Sequence, residues 1–413
     1  MLSRLIIIWL LLSVLGSFSV KQASHPVETS TLQYLSDERF DAEGAYFTSD
    51  AKGLPVVCWI EREPSGSVMV FSRWNAADGQ FAKPIKIEAS RGLTPHNENM
   101  PKLAFRKDGS LVAVFSNSRR VNRPDAMFEG EIYYIQSFDD GATWTPKSYV
   151  HSDTASGYSR GFIDIARLAD GEIGAVWLDG RKKDKSGSTL YFSKTQGKKG
   201  FVTDRAISEK VCQCCRTDIS VDAAGAIHIA YRDIEMGLAG NELRDMHYIV
   251  STDQGKTFSK AQRIGADDWN ISACPHTGPS IAASAQKVDF FWFTGANPSG
   301  IYHSSTTDNG KSFSDRKLIS EEGKHPQALA LSSSLTMLLM DETFNEGSNY
   351  FNRVVCQKVE NGKPTQQLVM SKNEVDARYP VIARLSDSQW VGAWMQKSKD
   401  GKWRIVSEKK YIN

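Results

Sequence analysis

Ser251-Thr252-Asp253-Gln254-Gly255-Lys256-Thr257-Phe258 is the stretch on which the fold turns, and it recurs. Ser137-Phe138-Asp139-Asp140-Gly141-Ala142-Thr143-Trp144 and Thr306-Thr307-Asp308-Asn309-Gly310-Lys311-Ser312-Phe313 have the same form. Each sets Ser/Thr, Asp, Gly, Ser/Thr and an aromatic at fixed offsets. Such a stretch makes a tight hairpin turn. The Asp carboxylate accepts backbone N–H groups within the turn, Gly supplies positive φ, and the aromatic tucks between neighbouring sheets. Degenerate copies stand at Asp78-Gly79-Gln80-Phe81, around Gly197 and at Asn361-Gly362. Glycines 79, 141, 197, 255, 310 and 362 therefore recur at intervals of 52 to 62 residues.

Ahead of each turn lies an apolar strand, a turn and a second apolar strand. Pro101 to Phe115 brackets Asp108-Gly109, and Phe162 to Trp177 brackets Asp170-Gly171. Asp-Gly between alternating strands is a strong hairpin signal. The second strands end on Trp59, Phe115, Trp177, Tyr231, Phe293, Met340 and Trp394, which counts seven units. A third strand leads into each turn and a fourth follows it, as in Lys317-Leu318-Ile319-Ser320. Four short strands per repeat predict an all-β chain folded as a β-propeller of seven four-stranded blades. Six blades with one decayed unit is the rival count. The seventh unit stops after its third strand, Trp403-Arg404-Ile405-Val406. Leu32-Gln33-Tyr34-Leu35-Ser36 resembles the other fourth strands, so the N-terminal strand is expected to close the ring.

Upstream, Arg4 precedes the apolar run Leu5 to Leu12, which fades at Gly16-Ser17-Phe18-Ser19. Residues 1–23 read as a secretory signal, the alternative being an uncleaved membrane anchor. Residues 24–413 form a single domain. Export to the periplasm or outside the cell is expected, where disulfides are permitted. Hydrophobic residues at 40% and charged residues at 24% exclude wholesale disorder. A net charge of +2 gives no electrostatic case for nucleic acid. Membrane contact is expected only through an uncleaved N-terminal segment, and the chain is expected to be a monomer.

The three turns resemble the Asp-box, or BNR, repeats of the sialidase superfamily. That resemblance implies a propeller in which the boxes join strands three and four, opposite the ligand-binding face. Asp139, Asp253 and Asp308 are therefore expected to be structural. The ligand face is built from loops that enter first strands or join strands two and three. Its polar residues include Glu43, His96, Glu98, Tyr158, Arg160, Asp179, Arg216, Asp233, His276, His325, Asp341, Glu342, Arg378 and Tyr379. Sialidases clamp a substrate carboxylate with three arginines, use a Tyr nucleophile paired with a Glu, and an Asp as acid/base. The resemblance implies Arg160, Arg216 and Arg378 for the clamp. It implies Tyr379 or Tyr158 as nucleophile, Glu98 or Glu342 as its base, and Asp179 or Asp233 as the acid. The ligand is then a carboxylated glycan, and hydrolysis requires no cofactor. Two features depart from the family. Its Arg-Ile-Pro signature is absent, Met100-Pro101 standing at the second blade without an Arg, and seven units exceed the six blades of sialidases. Mouth-lining arginines also read as salt-bridged loop residues, and the mouth as a non-catalytic module that holds a protein or glycan.

Six cysteines supply a second theme. Cys58 and Cys356 lie inside apolar strands and are expected to be separate buried thiols. Cys212, Cys214, Cys215 and Cys274, with His276 two residues beyond, stand on adjacent loops of the ligand face. Thiolates with a nearby imidazole suit copper or zinc, though Cys-x-Cys-Cys is not a zinc-ribbon spacing. Disulfides such as Cys214–Cys274, or a redox-active thiol pair, are the alternatives.

Overall fold

The computed structural model describes residues 32–412, apart from 124–125, 183–186, 272, 274, 348 and 373–374. The expected signal or anchor, in residues 1–23, lies outside the described residues. No helix among the described residues is long and apolar enough to cross a membrane.

The chain forms seven antiparallel blades in propeller arrangement. The first strands of blades 1 to 7 are Asp41–Ser49, Lys102–Phe105, Arg160–Arg167, Asp218–Val221, Ser280–Ala283, Gly323–Ala330 and Ala377–Arg384. The closing strand is where the sequence puts it. Gln33–Tyr34 pairs with Trp403–Tyr411, Gln33 opposite Ser407 and Tyr34 opposite Val406. The described helical residues are two short 3-10 turns, Glu88–Ser90 and Gly197–Lys199.

Strand periodicity builds the core. Successive side chains of a strand point to opposite faces, so each blade feeds two inter-blade layers. In Pro55–Glu63, Val57 and Trp59 pack against Val391, Ala393 and Met395 of blade 7. Val56, Cys58 and Ile60 pack against Leu103, Phe105 and Phe115 of blade 2. The same alternation fills every other blade junction round the ring. Trp59, Trp177, Trp292, Trp390 and Trp394 are fully buried in these layers. In blade 5 the buried large residue is Trp292 rather than Phe293, because the alternation there runs one residue earlier.

The Asp-boxes space the blades. In the box of blade 4, Asp253 Oδ1 accepts from Ser251 Oγ at 2.8 Å and from Thr257 N–H at 2.9 Å. Its Oδ2 accepts from Thr257 Oγ at 2.6 Å. The boxes of Asp139 and Asp308 repeat these bonds. The same bonds hold all three aspartates below the usual carboxylate range. Each box glycine presses on an aromatic ring of the preceding blade. A Cβ on Gly141 would stand 3.3 Å from Phe71, on Gly255 2.7 Å from Phe192, and on Gly310 2.4 Å from Tyr248. Gly310 also has φ +81°. Gly310→Ala is expected to cost about 1–3 kcal/mol from overpacking, with left-handed strain in addition. A thermal midpoint equal to the parent's would show that this contact does not set the blade spacing.

Candidate functional site

Four first strands carry the same irregularity. The register breaks between Glu43 and Tyr46, Gly161 and Asp164, Lys324 and Gln327, and Arg378 and Val381. At each break one residue takes positive φ: Gly44 (67°), Phe162 (52°), His325 (49°) and Tyr379 (51°). The left-handed region costs a non-glycine residue on the order of 1–2 kcal/mol. Bulges bend a strand and re-aim a side chain. Lys324-His325-Pro326 and Arg378-Tyr379-Pro380 are the same device in adjacent blades 6 and 7.

The two re-aimed rings meet, with centroids 4.3 Å apart. Asp341, from the second strand of blade 6, ties them. Both its carboxylate oxygens lie 2.9 Å from His325 Nδ1, and Oδ2 accepts the Tyr379 N–H at 2.8 Å. On its other side His325 Nε2 lies 3.8 Å from Glu98 Oε1. Arg216, entering blade 4, brings Nε to 3.8 Å from Glu98 Oε2. The guanidinium also donates to Pro326 O at 3.4 Å. With the Gln327 amide oxygen turned toward it, two further bonds form at 3.0 and 3.2 Å. Gly278 admits this approach, since a Cβ there would stand 2.3 Å from Arg216 O. Blades 2, 4, 6 and 7 thus converge on one carboxylate.

Glu98 is 2% exposed, and neither carboxylate oxygen accepts a hydrogen bond. A buried carboxylate normally finds donors; here the nearest cationic groups are Arg216 and His325, each at 3.8 Å. Its surroundings are tuned. Burial alone would lower the His325 pKa, but the charge and hydrogen bond of Asp341, with Glu98, outweigh it and raise it. The Tyr379 phenol is pushed up to about 12 by burial, then by the charges of Glu98 and Asp341. A pair of imidazoles, His96 and His276, lies beside the Glu98 segment. His96 Nδ1 accepts the N–H groups of Glu98 and Asn99, both at 3.1 Å, which leaves its Nε2 protonated. Its ring lies 5.7 Å from that of His276, whose buried Nδ1 has no partner.

The other residues expected at the site have different partners. Arg160 is enclosed by Glu131 (2.9 Å), Asp179 (3.3 Å) and Asp153 (3.5 Å). Asp179 is fully buried between Arg160, Arg181 and Trp177 Nε1. Arg378 is held by Asp376 at 2.8 Å and lies over the Trp403 ring. Glu342 pairs with Arg353 at 2.6 Å. Asp233 lies beside His247 at 4.0 Å, and burial pushes its carboxyl up to about 6. Tyr158 lies under the Arg160 guanidinium. Of the three arginines, then, Arg216 alone touches the Glu98 cluster. A cleft of about 300 Å³ over blade 2, lined by Thr94, Asn117, Arg119, Glu129 and Glu131, holds none of the cluster residues.

His325 and Asp341 stood on the mouth in sequence without a role. The signal that could have assigned one is the alignment of Lys324-His325-Pro326 with Arg378-Tyr379-Pro380, which puts an imidazole in the register of the tyrosine.

The BNR repeat-like domain matches residues 61–394. The chain belongs to that family. It is a BNR-repeat propeller. No curated protein matches it. Solved structures share the fold at low identity. A protein of unknown function from Dyadobacter fermentans is 15% identical with a TM-score of 0.53, over 92% of this chain and 99% of that one. An ulvan lyase, described as a new family of polysaccharide lyase, is 11% identical with a TM-score of 0.55, over 92% and 95%. The α-L-arabinanase of Penicillium chrysogenum is 11% identical with a TM-score of 0.50, over 93% and 98%.

In this BNR propeller the cysteine loop crosses from the outer strand of blade 3, Phe201–Val211, to the inner strand of blade 4. Cys212, Cys214 and Cys215 are buried free thiols packed with Ile234 and Phe162. Cys58 and Cys356 are free, buried and separate, and burial pushes each up to about 12. Cys274, the suggested partner of Cys214, lies outside the described residues.

Proposed function

We propose that the chain is an exported, glycan-active propeller that takes a carboxylated sugar at its upper mouth and hydrolyses it as an exo-sialidase does. The observation that carries this reading is the undonated, buried carboxylate of Glu98 between Arg216 and His325 and beside Tyr379. Tyr379 is the nucleophile. Its raised pKa keeps the resting phenol protonated, so a base must take the proton as the oxygen attacks the anomeric carbon. Glu98 is that base. As the glycosidic C–O bond breaks, the leaving oxygen takes a proton from His325; water then attacks the anomeric carbon, giving a proton to His325, while the Tyr379 oxygen leaves and recovers its proton from Glu98. His325 fits the acid role better than Asp179 or Asp233, because it touches the Glu98 cluster and Asp341 favours its charged form. Arg216 is the guanidinium placed for the substrate carboxylate, since Arg160 and Arg378 are held away from Glu98 by other carboxylates.

A second reading rests on the close His325–Tyr379 pair beside a single arginine. That grouping suits proton removal next to a carboxylate, the elimination chemistry of polysaccharide lyases, and an ulvan lyase shares the fold. One experiment separates the readings. The purified chain is incubated with sialosides and with uronate-containing polysaccharides. Free sialic acid supports the hydrolase. An unsaturated uronate product, absorbing in the ultraviolet, moves the assignment to the lyase. Calorimetric binding without turnover leaves a lectin-like module. Export rests on the apolar run Leu5 to Leu12 and is tested by sequencing the N-terminus of chain recovered outside the cytoplasm.

A further inference from the structure

The three thiols of the cysteine loop have no part in the glycan chemistry, and their geometry is unlike that of the chain's packing cysteines. Cys212 Sγ lies 3.5 Å from Cys215 Sγ and 3.8 Å from Cys214 Sγ. All three sulfurs lie within 4.8 Å of one another. Three sulfurs bound to one ion at about 2.3 Å each would stand roughly 4 Å apart. A disulfide needs about 2.05 Å, so the trio is already close to a coordination triangle and well short of a bond. No other group of three or more His, Cys, Asp or Glu among the described residues meets this criterion, and none joins the three sulfurs as a fourth ligand.

The surroundings favour thiolates. Arg244 Nη1 donates to Cys212 Sγ at 3.6 Å. Arg232 is buried, donates to the carbonyls of Arg244 and Phe293, and its charge reaches Cys215. Two guanidinium charges thus stand beside the trio. They balance the net charge of −2 that three thiolates and one monovalent cation carry.

We propose that Cys212, Cys214 and Cys215 form a three-coordinate thiolate site for one Cu(I) ion, on the loop that also positions Arg216. Soft thiolates select Cu(I), zinc or iron–sulfur clusters. Structural zinc sites almost always take four ligands, whereas the described residues offer three. Binding releases the protons still on sulfur to solvent and changes no oxidation state. Cys214, the most exposed of the three at 6%, is the side from which the ion enters.

The test uses the full chain, reduced and without oxygen, titrated with Cu(I) supplied as its acetonitrile complex. The expected result is a thiolate-to-copper absorption band that saturates at one ion per chain. The bound ion should protect Cys212, Cys214 and Cys215 from alkylation by iodoacetamide, as mapped by mass spectrometry. Cys214→Ser should lose both the band and the protection, while the pair Cys58→Ala and Cys356→Ala keeps them. If Cys214→Ser fails to fold, protection of the parent chain decides the matter. No band and no protection in the reduced chain would overturn the site. Stoichiometric retention of Zn(II) against an excess of Cu(I) would overturn the copper assignment.

Discussion

Glu98→Gln and Tyr379→Phe are each expected to lower turnover of the acidic glycan by about 10²- to 10⁴-fold, the usual worth of a positioned proton-transfer group. Neither should unfold the protein. The Glu98 carboxylate accepts no hydrogen bond in the fold, and the amide keeps its shape. Tyr379→Phe keeps the ring that packs against His325. Full activity in either variant, measured by product release, would remove the Tyr379–Glu98 pair from the mechanism. The pH dependence follows from His325. Its pKa is raised in the fold above the ordinary 6.5. The charged imidazole paired with Asp341 therefore stabilises the fold fully below 6.5, and that contribution is lost as pH rises through the raised value. Activity that needs the protonated ring fails over the same window. Asp341→Asn removes the main charge that opposes desolvation, so the basic limb of the kcat/KM profile should move to lower pH. The asparagine oxygen can still accept the Tyr379 N–H, which keeps the ring pair aligned. An unmoved basic limb would assign that ionisation to another group.

Deleting the chain through Ser36 is expected to open the ring. The closing strand contributes two backbone pairs to Trp403–Tyr411. The bonds Leu35 N–H to Ile405 O at 2.8 Å and Ile405 N–H to Ser36 Oγ at 3.0 Å add to them. The Gln33 amide clamps both the N–H and C=O of Phe81 in blade 1, at 2.9 and 2.8 Å. Leu35 is buried in the layer between blades 7 and 1. At about 1 kcal/mol for each of these four hydrogen bonds and about 2 for the leucine, the loss is about 6 kcal/mol before the strand pairing is added. That is comparable with the whole stability of many folded domains. The deletion also bares the edge of Trp403–Tyr411, a template for aggregation. A large fall in the thermal midpoint is expected, with recovery when a peptide spanning residues 32–36 is added. Truncated protein that melts with the parent would show that the N-terminal strand does not hold the ring closed.

The blade count, the three Asp-boxes and the closing strand were legible in the chain itself, because each rests on short-range physics. A box is a turn whose Asp, Gly and hydroxyl bonds form within eight residues, as Asp253 and Thr257 show. A blade strand is an alternation that any window of six residues displays. Seven buried layers then follow from repetition, without knowledge of which residues meet.

The site is another matter. Glu98, Arg216, His325 and Tyr379 come from four blades, and only closure of the ring brings them to one point. Arg160, Arg216 and Arg378 are alike in sequence, each at the mouth of a first strand. Their roles diverge because one is ringed by Glu131, Asp153 and Asp179, one is held by Asp376, and one reaches Glu98. The left-handed bulges that re-aim His325 and Tyr379 are imposed by pairing with neighbouring strands, against local preference. The spacing of the three sulfurs is likewise set by how the loop packs against Phe162 and Ile234. Local turn chemistry and strand period determine what this chain folds into. The partners that neutralise, desolvate or expose each charged group lie far off in sequence, so only the tertiary structure decides which of them can act.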